Sequence, residues 1–327
     1  MRRLNLVLTL LVLGCSPLAP EVPPSDPPTE EPTPEPVPWP ATLSETGLFA
    51  DGSVETIAED VIHYEVAWPL WSDGTIKDRF LRLPEGTTID TSDPNLWDFP
   101  VGTRAWKHFR LGDVLLETRF LHREEDGWVW VAYQWRQDGT DADAVPSGVL
   151  DASETLHDIP STHQCETCHQ SQGLLGIGAI QLGADSPTAT LAELTERSLL
   201  SAPIEGSTAV PGEGATRETL GYLHGNCSGC HADHYNLPAA YTLRLGVLVG
   251  TTNPGDSLLY QTAINAPTHH PPTGVAVAPG DPEGSLLYQR MGERSFYQMP
   301  PLGTEVVDSD AHATVFEWIM GLPQEQP

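Results

Sequence analysis

Basic side chains are scarce in this chain of 327 residues: 16 Lys and Arg stand against 45 Asp and Glu, a formal charge of −29. Such a chain is repelled by phosphate backbones, which excludes a nucleic-acid partner, whereas a basic protein partner would be steered in. A solvated acidic surface that merely keeps the protein in solution is the plainer use of the same charge. Sulfur is scarce too, with five Cys and four Met. The apolar run at residues 4–13 is too short to span a bilayer as a helix.

The few cysteines are not scattered. Four of them fall in two copies of one pentad, Cys165-Glu-Thr-Cys168-His169 and Cys227-Ser-Gly-Cys230-His231. This is the attachment pattern of c-type haem. Two thiols three residues apart on a tight turn reach the two vinyl groups on one porphyrin edge, and the next residue offers its imidazole to the iron. The reading predicts two covalent haem c groups, on Cys165 and Cys168 and on Cys227 and Cys230, with His169 and His231 as axial ligands. Paired Cys-x-x-Cys also suits tetrahedral zinc, but 58 residues separate the pairs and a His follows each.

The fifth cysteine belongs to a different pattern. Arg2 and Arg3 precede the apolar run, which ends in Val12-Leu13-Gly14-Cys15. The arrangement resembles a bacterial lipobox, with Leu13 where a small residue is usual, and predicts a signal peptide at 1–14 with acylation of Cys15. An ordinary secretory signal is the alternative. One Cys for lipid and four for haem leave none for a structural disulfide. Residues 16–40 then carry eleven prolines in twenty-five positions, a stiff, extended tether of about 3 Å per residue. We take the tether as 15–44.

Residues 45–158 read as a β-rich domain holding seven of the nine tryptophans. Strands are predicted at 61–68, 104–110, 114–123 and 128–136, the last two flanking an Asp126-Gly127 turn. Apolar bulk on both faces of 128–136 predicts a strand covered on each side. His63, His108 and His122 read as satisfied or surface histidines. The Leu70-Trp71-Ser72-Asp73-Gly74 turn has no readable function.

Beyond Ile159-Pro160 the strands give way to helical patterns, in a first haem segment at 159–214 and a second region at 215–327. Thr190 and Glu193 predict a capping box for a helix at 191–200. Residues 215–224 lead into the second pentad, and Asp308 or Ser309 starts a closing helix ended by Gly321 and Pro323. Met299, in Gln298-Met299-Pro300-Pro301, is the candidate sixth ligand of the second haem, because a thioether on a Pro-stiffened loop can reach the iron and raises its potential. Met291 reads as core. For the first haem no Met is at hand; His157, His163, His224, His234, His269 and His270 are candidates, and none is assigned.

On these residues a resemblance can be stated. The segment 227–318 resembles class I c-type cytochromes, and the chain from about residue 45 resembles a family of bacterial diheme c-type cytochromes with a β-rich N-terminal region. The match lies in Thr46-Gly47-Leu48-Phe49, the 70–74 turn, Phe99-Pro100-Val101-Gly102-Thr103, Glu117-Thr118-Arg119, Gly127-Trp128, Ile159-Pro160-Ser161, Pro279-Gly280-Asp281-Pro282 and Met299-Pro300-Pro301. The resemblance implies haem c binding and electron transfer, with no substrate.

The expected fold is therefore α+β: an N-terminal β-sandwich-like domain followed by a mainly α-helical diheme cytochrome c region. The expected function is electron transfer by an exported lipoprotein, anchored to a bacterial membrane and facing the periplasm or cell exterior, with a redox partner protein bearing a basic docking surface. The alternative is a peroxidase-like diheme enzyme whose open first haem is fed by the second.

Overall fold

Alternation along the tryptophan-rich segment closes into a single antiparallel meander. β1 (Ile62–Tyr64), β2 (Ile76–Arg82), β3 (Arg104–Leu111), β4 (Val114–Glu124), β5 (Gly127–Trp135) and β6 (Ala142–Ala144) pair in chain order, each with its sequence neighbours. The structure, a computed structural model, describes residues 37–169, 173–233, 242–268 and 272–324. Cys15, the leader 1–14, the tether up to residue 36, His234, His269 and His270 lie outside the described residues.

Register sorts the side chains of the sheet into two faces. Phe80, Trp106, Phe120 and Val131 lie in one cross-strand row, on the face that packs against Leu43, Leu48 and Phe49. Leu81, Ala105, Leu121 and Trp130 form the neighbouring row on the opposite face, packed with Leu174, Ala179, Leu182 and Leu194. The sandwich expectation is thus corrected. Both faces are covered, as the bulk on β5 demands, but by non-strand chain on one side and by short helices and loops on the other. The strand expected at 61–68 is only three residues long, because the chain peels away to bond Gln181: Ala67 N–H donates to its backbone carbonyl at 2.8 Å and Trp68 N–H to its Oε1 at 2.9 Å.

The second half is corrected as well. Among the described residues 26% are helical, and the sheet is not followed by a mainly α-helical cytochrome region. Among the described residues the helices are α1 (Thr162–His169), α2 (Ala179–Leu182), α3 (Thr190–Glu196), α4 (Gly214–Asn226), α5 (Leu258–Ala263), α6 (Leu286–Gly292) and α7 (Ser309–Gly321), with a small ribbon of β7 (Pro267–Thr268) and β8 (Gly274–Val275). Only α4 and α7 reach 13 residues. A chain with 31 Pro and 29 Gly breaks its helical patterns before they lengthen. The predicted capping box does not form: Ala189 precedes α3, and the Thr190 hydroxyl bonds Thr188 instead. The closing helix starts as expected, with Asp308 accepting from Ala311 N–H at 3.1 Å.

The core of this half joins Leu220 and Leu223 of α4 to Val315, Trp318 and Ile319 of α7, with Leu259, Leu287 and Met291 from α5 and α6. The segment Ser257-Leu258-Leu259-Tyr260-Gln261 recurs as Ser285-Leu286-Leu287-Tyr288-Gln289, and each copy starts a helix, α5 and α6. Each sets its Tyr against α7, Tyr260 donated to by the Trp318 indole at 3.0 Å and Tyr288 stacked on His312 at 3.9 Å. Gly221 and Gly225 of α4 let the 66–72 segment lie directly on the helix, since a Cβ at either would fall 2.2 Å from Trp68. Among the described residues no helix is long and apolar enough to cross a membrane.

Candidate functional site

The first pentad is built on α1, and the helix starts through a reciprocal cap. Ser161 Oγ accepts from Gln164 N–H at 3.3 Å, while Gln164 Oε1 accepts from Ser161 N–H at 2.8 Å. The helix lies on β5: the Trp130 indole donates to Thr162 O at 2.9 Å, and its ring sits 6.0 Å from that of His169. The second pentad continues the last turn of α4. Cys227 N–H donates to Leu223 O at 2.9 Å, and His231 N–H donates to Cys227 O at 2.8 Å.

The fold brings the two pentads together. Cys168 and Cys230 hydrogen-bond through their thiols, and Leu175, six residues past His169, faces Gly229 in the second pentad. None of the four pentad cysteines is in a disulfide, and all four are half-buried. The contact with Cys230, and then burial, pushes the Cys168 thiol far up, while burial raises Cys227 to about 12. Cys165, raised by burial as well, Cys168 and Cys227 are therefore thiols at neutral pH. In a haem-free chain given glutathione disulfide, we expect one disulfide, Cys168–Cys230, found by peptide mapping and abolished by Cys168→Ser. Recovery of Cys165–Cys168 and Cys227–Cys230 pairs instead would show that the pentads do not meet.

Each pentad histidine is held by a backbone carbonyl. His169 Nδ1–H donates to Gly173 O, and His231 Nδ1–H donates to Leu243 O at 3.3 Å. A carbonyl can only accept, so Nδ1 carries the proton and Nε2 the lone pair, the tautomer an axial ligand needs. Burial draws His169 down to about 4 and lowers His231 as well, so both rings are neutral near pH 7. Among the described residues no group of three or more His, Cys, Asp or Glu converges to hold a metal ion. Haem c asks each pentad for only two thiols and one imidazole. The residues fit haem c.

Met299 shares a cleft with Cys227. Trp71, Tyr222, Asn226, Met291, Arg294, Pro300 and Asp308 complete its wall. The 70–74 turn, unreadable in the sequence, clamps this region. Trp71 N–H donates to Asn226 Oδ1 at 2.7 Å, at the end of α4. Asp73 Oδ1 accepts from Thr304 Oγ1 at 2.8 Å and from Glu305 and Val306 N–H at 3.0 and 2.8 Å. One turn therefore ties the chain before Cys227 to the loop after Met299.

Of the histidines considered for the first haem, the described ones are engaged or exposed. His157 Nε2–H donates to Glu117 at 2.7 Å; His163 is exposed beside Glu166; His224 Nδ1 accepts from Val247 N–H at 3.1 Å. His108 is buried and bonded to Thr118 at 2.6 Å, a satisfied core histidine.

Sequence reasoning missed a row of cations. Arg79, Lys107 and Arg119 are direct cross-strand partners on β2, β3 and β4, on the sheet face that carries α1. Arg119 makes a double bond-pair with Glu117, at 2.7 and 3.1 Å to one oxygen, and lies over Phe109 at 4.2 Å. Burial opposes ionisation of Glu117, but Arg119 and His157 outweigh it and hold the carboxyl below its ordinary value. Burial, and then Arg79 and Arg119, pulls Lys77 to about 7 and holds Lys107 well below the usual lysine range. No family model, no curated protein and no solved structure matches the chain.

Proposed function

We propose that this chain is an exported diheme c-type cytochrome that carries electrons. The observation that supports it most is the meeting of two complete Cys-x-x-Cys-His pentads at Cys168 and Cys230, each with its imidazole oriented by a backbone carbonyl. Cys165 and Cys168 would hold one haem with His169, and Cys227 and Cys230 the other with His231, with Met299 as that haem's second axial ligand. Haem c supplies a one-electron site in each case. Groups tethered through thiols that touch are neighbours, which suits electron exchange within one chain. The leader, the Cys15 acyl anchor and the tether would hold the folded part off a membrane, and the −29 charge would attract a basic redox partner.

The test is covalent stoichiometry. Protein exported by a cell able to mature c-type cytochromes is expected to keep two haems per chain through acid–organic extraction, read as the pyridine haemochrome. The Cys227→Ser/Cys230→Ser variant is expected to keep one. Zinc with no extraction-resistant haem would end this reading.

A further inference from the structure

We propose that Arg79, Lys107 and Arg119 form a carboxylate seat that takes the propionates of the haem carried by Cys165 and Cys168. The inference rests on the haem reading above and names residues that reading does not use. The chain has only two lysines, Lys77 and Lys107, and register puts both on the sheet face under α1 with Arg79 and Arg119. Like charges directly opposite one another on neighbouring strands repel. Here three cations stand in one row, in a protein where acids outnumber bases nearly threefold.

Among the described residues a carboxylate pairs directly with one member of the row and leaves the other two without an ion pair. Glu117 serves Arg119. Arg79, buried, donates to Lys77 O at 3.1 Å, and Glu65 and Asp78 act on it only through space. Lys77 donates to Leu70 O at 2.6 Å. The ammonium of Lys107, half-buried, makes no hydrogen bond within the described residues. A desolvated cation without a counter-charge is costly, so the row calls for anions.

Their chemistry and place are both given. The row lies beside the first pentad: Lys107 and Arg119 act electrostatically on His169, and Arg119 on Cys165 and Cys168. A haem held by its vinyl edge presents two carboxylates at the opposite edge. Two propionates together with Glu117 match the three cations of the row in charge. Charge-assisted bonds from guanidinium and ammonium to carboxylate are the strong ones available to a half-buried site.

The experiment uses the full-length, haem-loaded protein, with the extraction count taken first on every sample. The propionate bending bands in resonance Raman spectra are expected to shift in Lys107→Gln and to return in Lys107→Arg. The midpoint potential of one haem is expected to fall in Lys107→Gln while the other stays, because a cation near the iron favours the ferrous state. Arg79→Gln is expected to act in the same direction, and it stands in should Lys107→Gln fail to accumulate. Unchanged bands and potentials in variants that carry two haems would overturn the seat while leaving the cytochrome reading intact. Wild-type protein without two covalent haems would overturn both. Acetate that shifts the wild-type potential, with no effect on Lys107→Gln, would mean the seat is open to free carboxylates and would also overturn the assignment.

Discussion

Replacing Glu117 with Gln is expected to cost about 3 kcal/mol of stability at neutral pH, the low end of the ~3–5 kcal/mol seen when one member of a buried ion pair is removed. The low end applies because Arg119 keeps 22% of its side chain exposed, whereas Glu117 has none. The carboxylate accepts from Arg119 and from His157 Nε2 at 2.7 Å, so one substitution strips the charge from a three-member network. It also removes a carboxylate whose charge acts on the Lys107 ammonium. The pH dependence follows from the direction of the shift. Glu117 titrates lower in the folded protein than in the unfolded chain, so its contribution is whole above the unfolded carboxylate value near ~4 and is lost as pH falls through the folded value. Urea unfolding of wild type and Glu117→Gln at pH 7 and again near pH 3 measures this. The gap between them is expected to be wide at pH 7 and to close in acid. A gap that stays the same in acid would assign the loss to packing rather than charge.

The parts of the site that sequence made plain are those written in adjacent residues. The pentads, the Asp126-Gly127 hairpin and the Asp308 cap each depend on a few neighbouring positions, and local geometry honours them. Even local signals compete, however. Thr190 with Glu193 has the same form as Ser161 with Gln164, yet only the second pair caps its helix. Thr188 draws the Thr190 hydroxyl away, a side-chain bond that no pattern of three residues contains. What remained hidden is what strand register creates. Arg79, Lys107 and Arg119 sit far apart in sequence and become one row only when three strands pair in a particular alignment. The approach of Cys168 to Cys230 likewise needs the fold between them, including the Trp68 segment seated on two glycines of α4. The sandwich expectation failed for a related reason. Apolar bulk on both faces of β5 states that each face is covered and is silent on what covers it.

Met299→His is expected to lower the midpoint potential of one haem by on the order of a few tenths of a volt, within the ~0.8 V that axial ligands command, and to leave the other in place. A thioether favours ferrous iron more than an imidazole does, so the substitution moves the potential down rather than up. The residue is placed for that role by two features. It lines the same cleft as Cys227, the first thiol of the second pentad. Its loop is fixed on both sides, by Met299 N–H donating to Arg290 O at 2.9 Å and by Asp73 holding residues 304–306 from across the cleft. Met291 lines the cleft too, but its side chain belongs to the buried cluster between α6 and α7, so it serves as the control. Met291→Leu, a swap of similar volume, is expected to change stability by less than about 1.5 kcal/mol and to leave both potentials alone. Potentiometric titration followed at the haem bands gives the two midpoints, and the ferric Met–iron charge-transfer band, expected in wild type, should vanish in Met299→His and persist in Met291→Leu. If band and potentials survive in Met299→His, the thioether of Met299 is wall and not ligand, and the second axial position is filled from elsewhere.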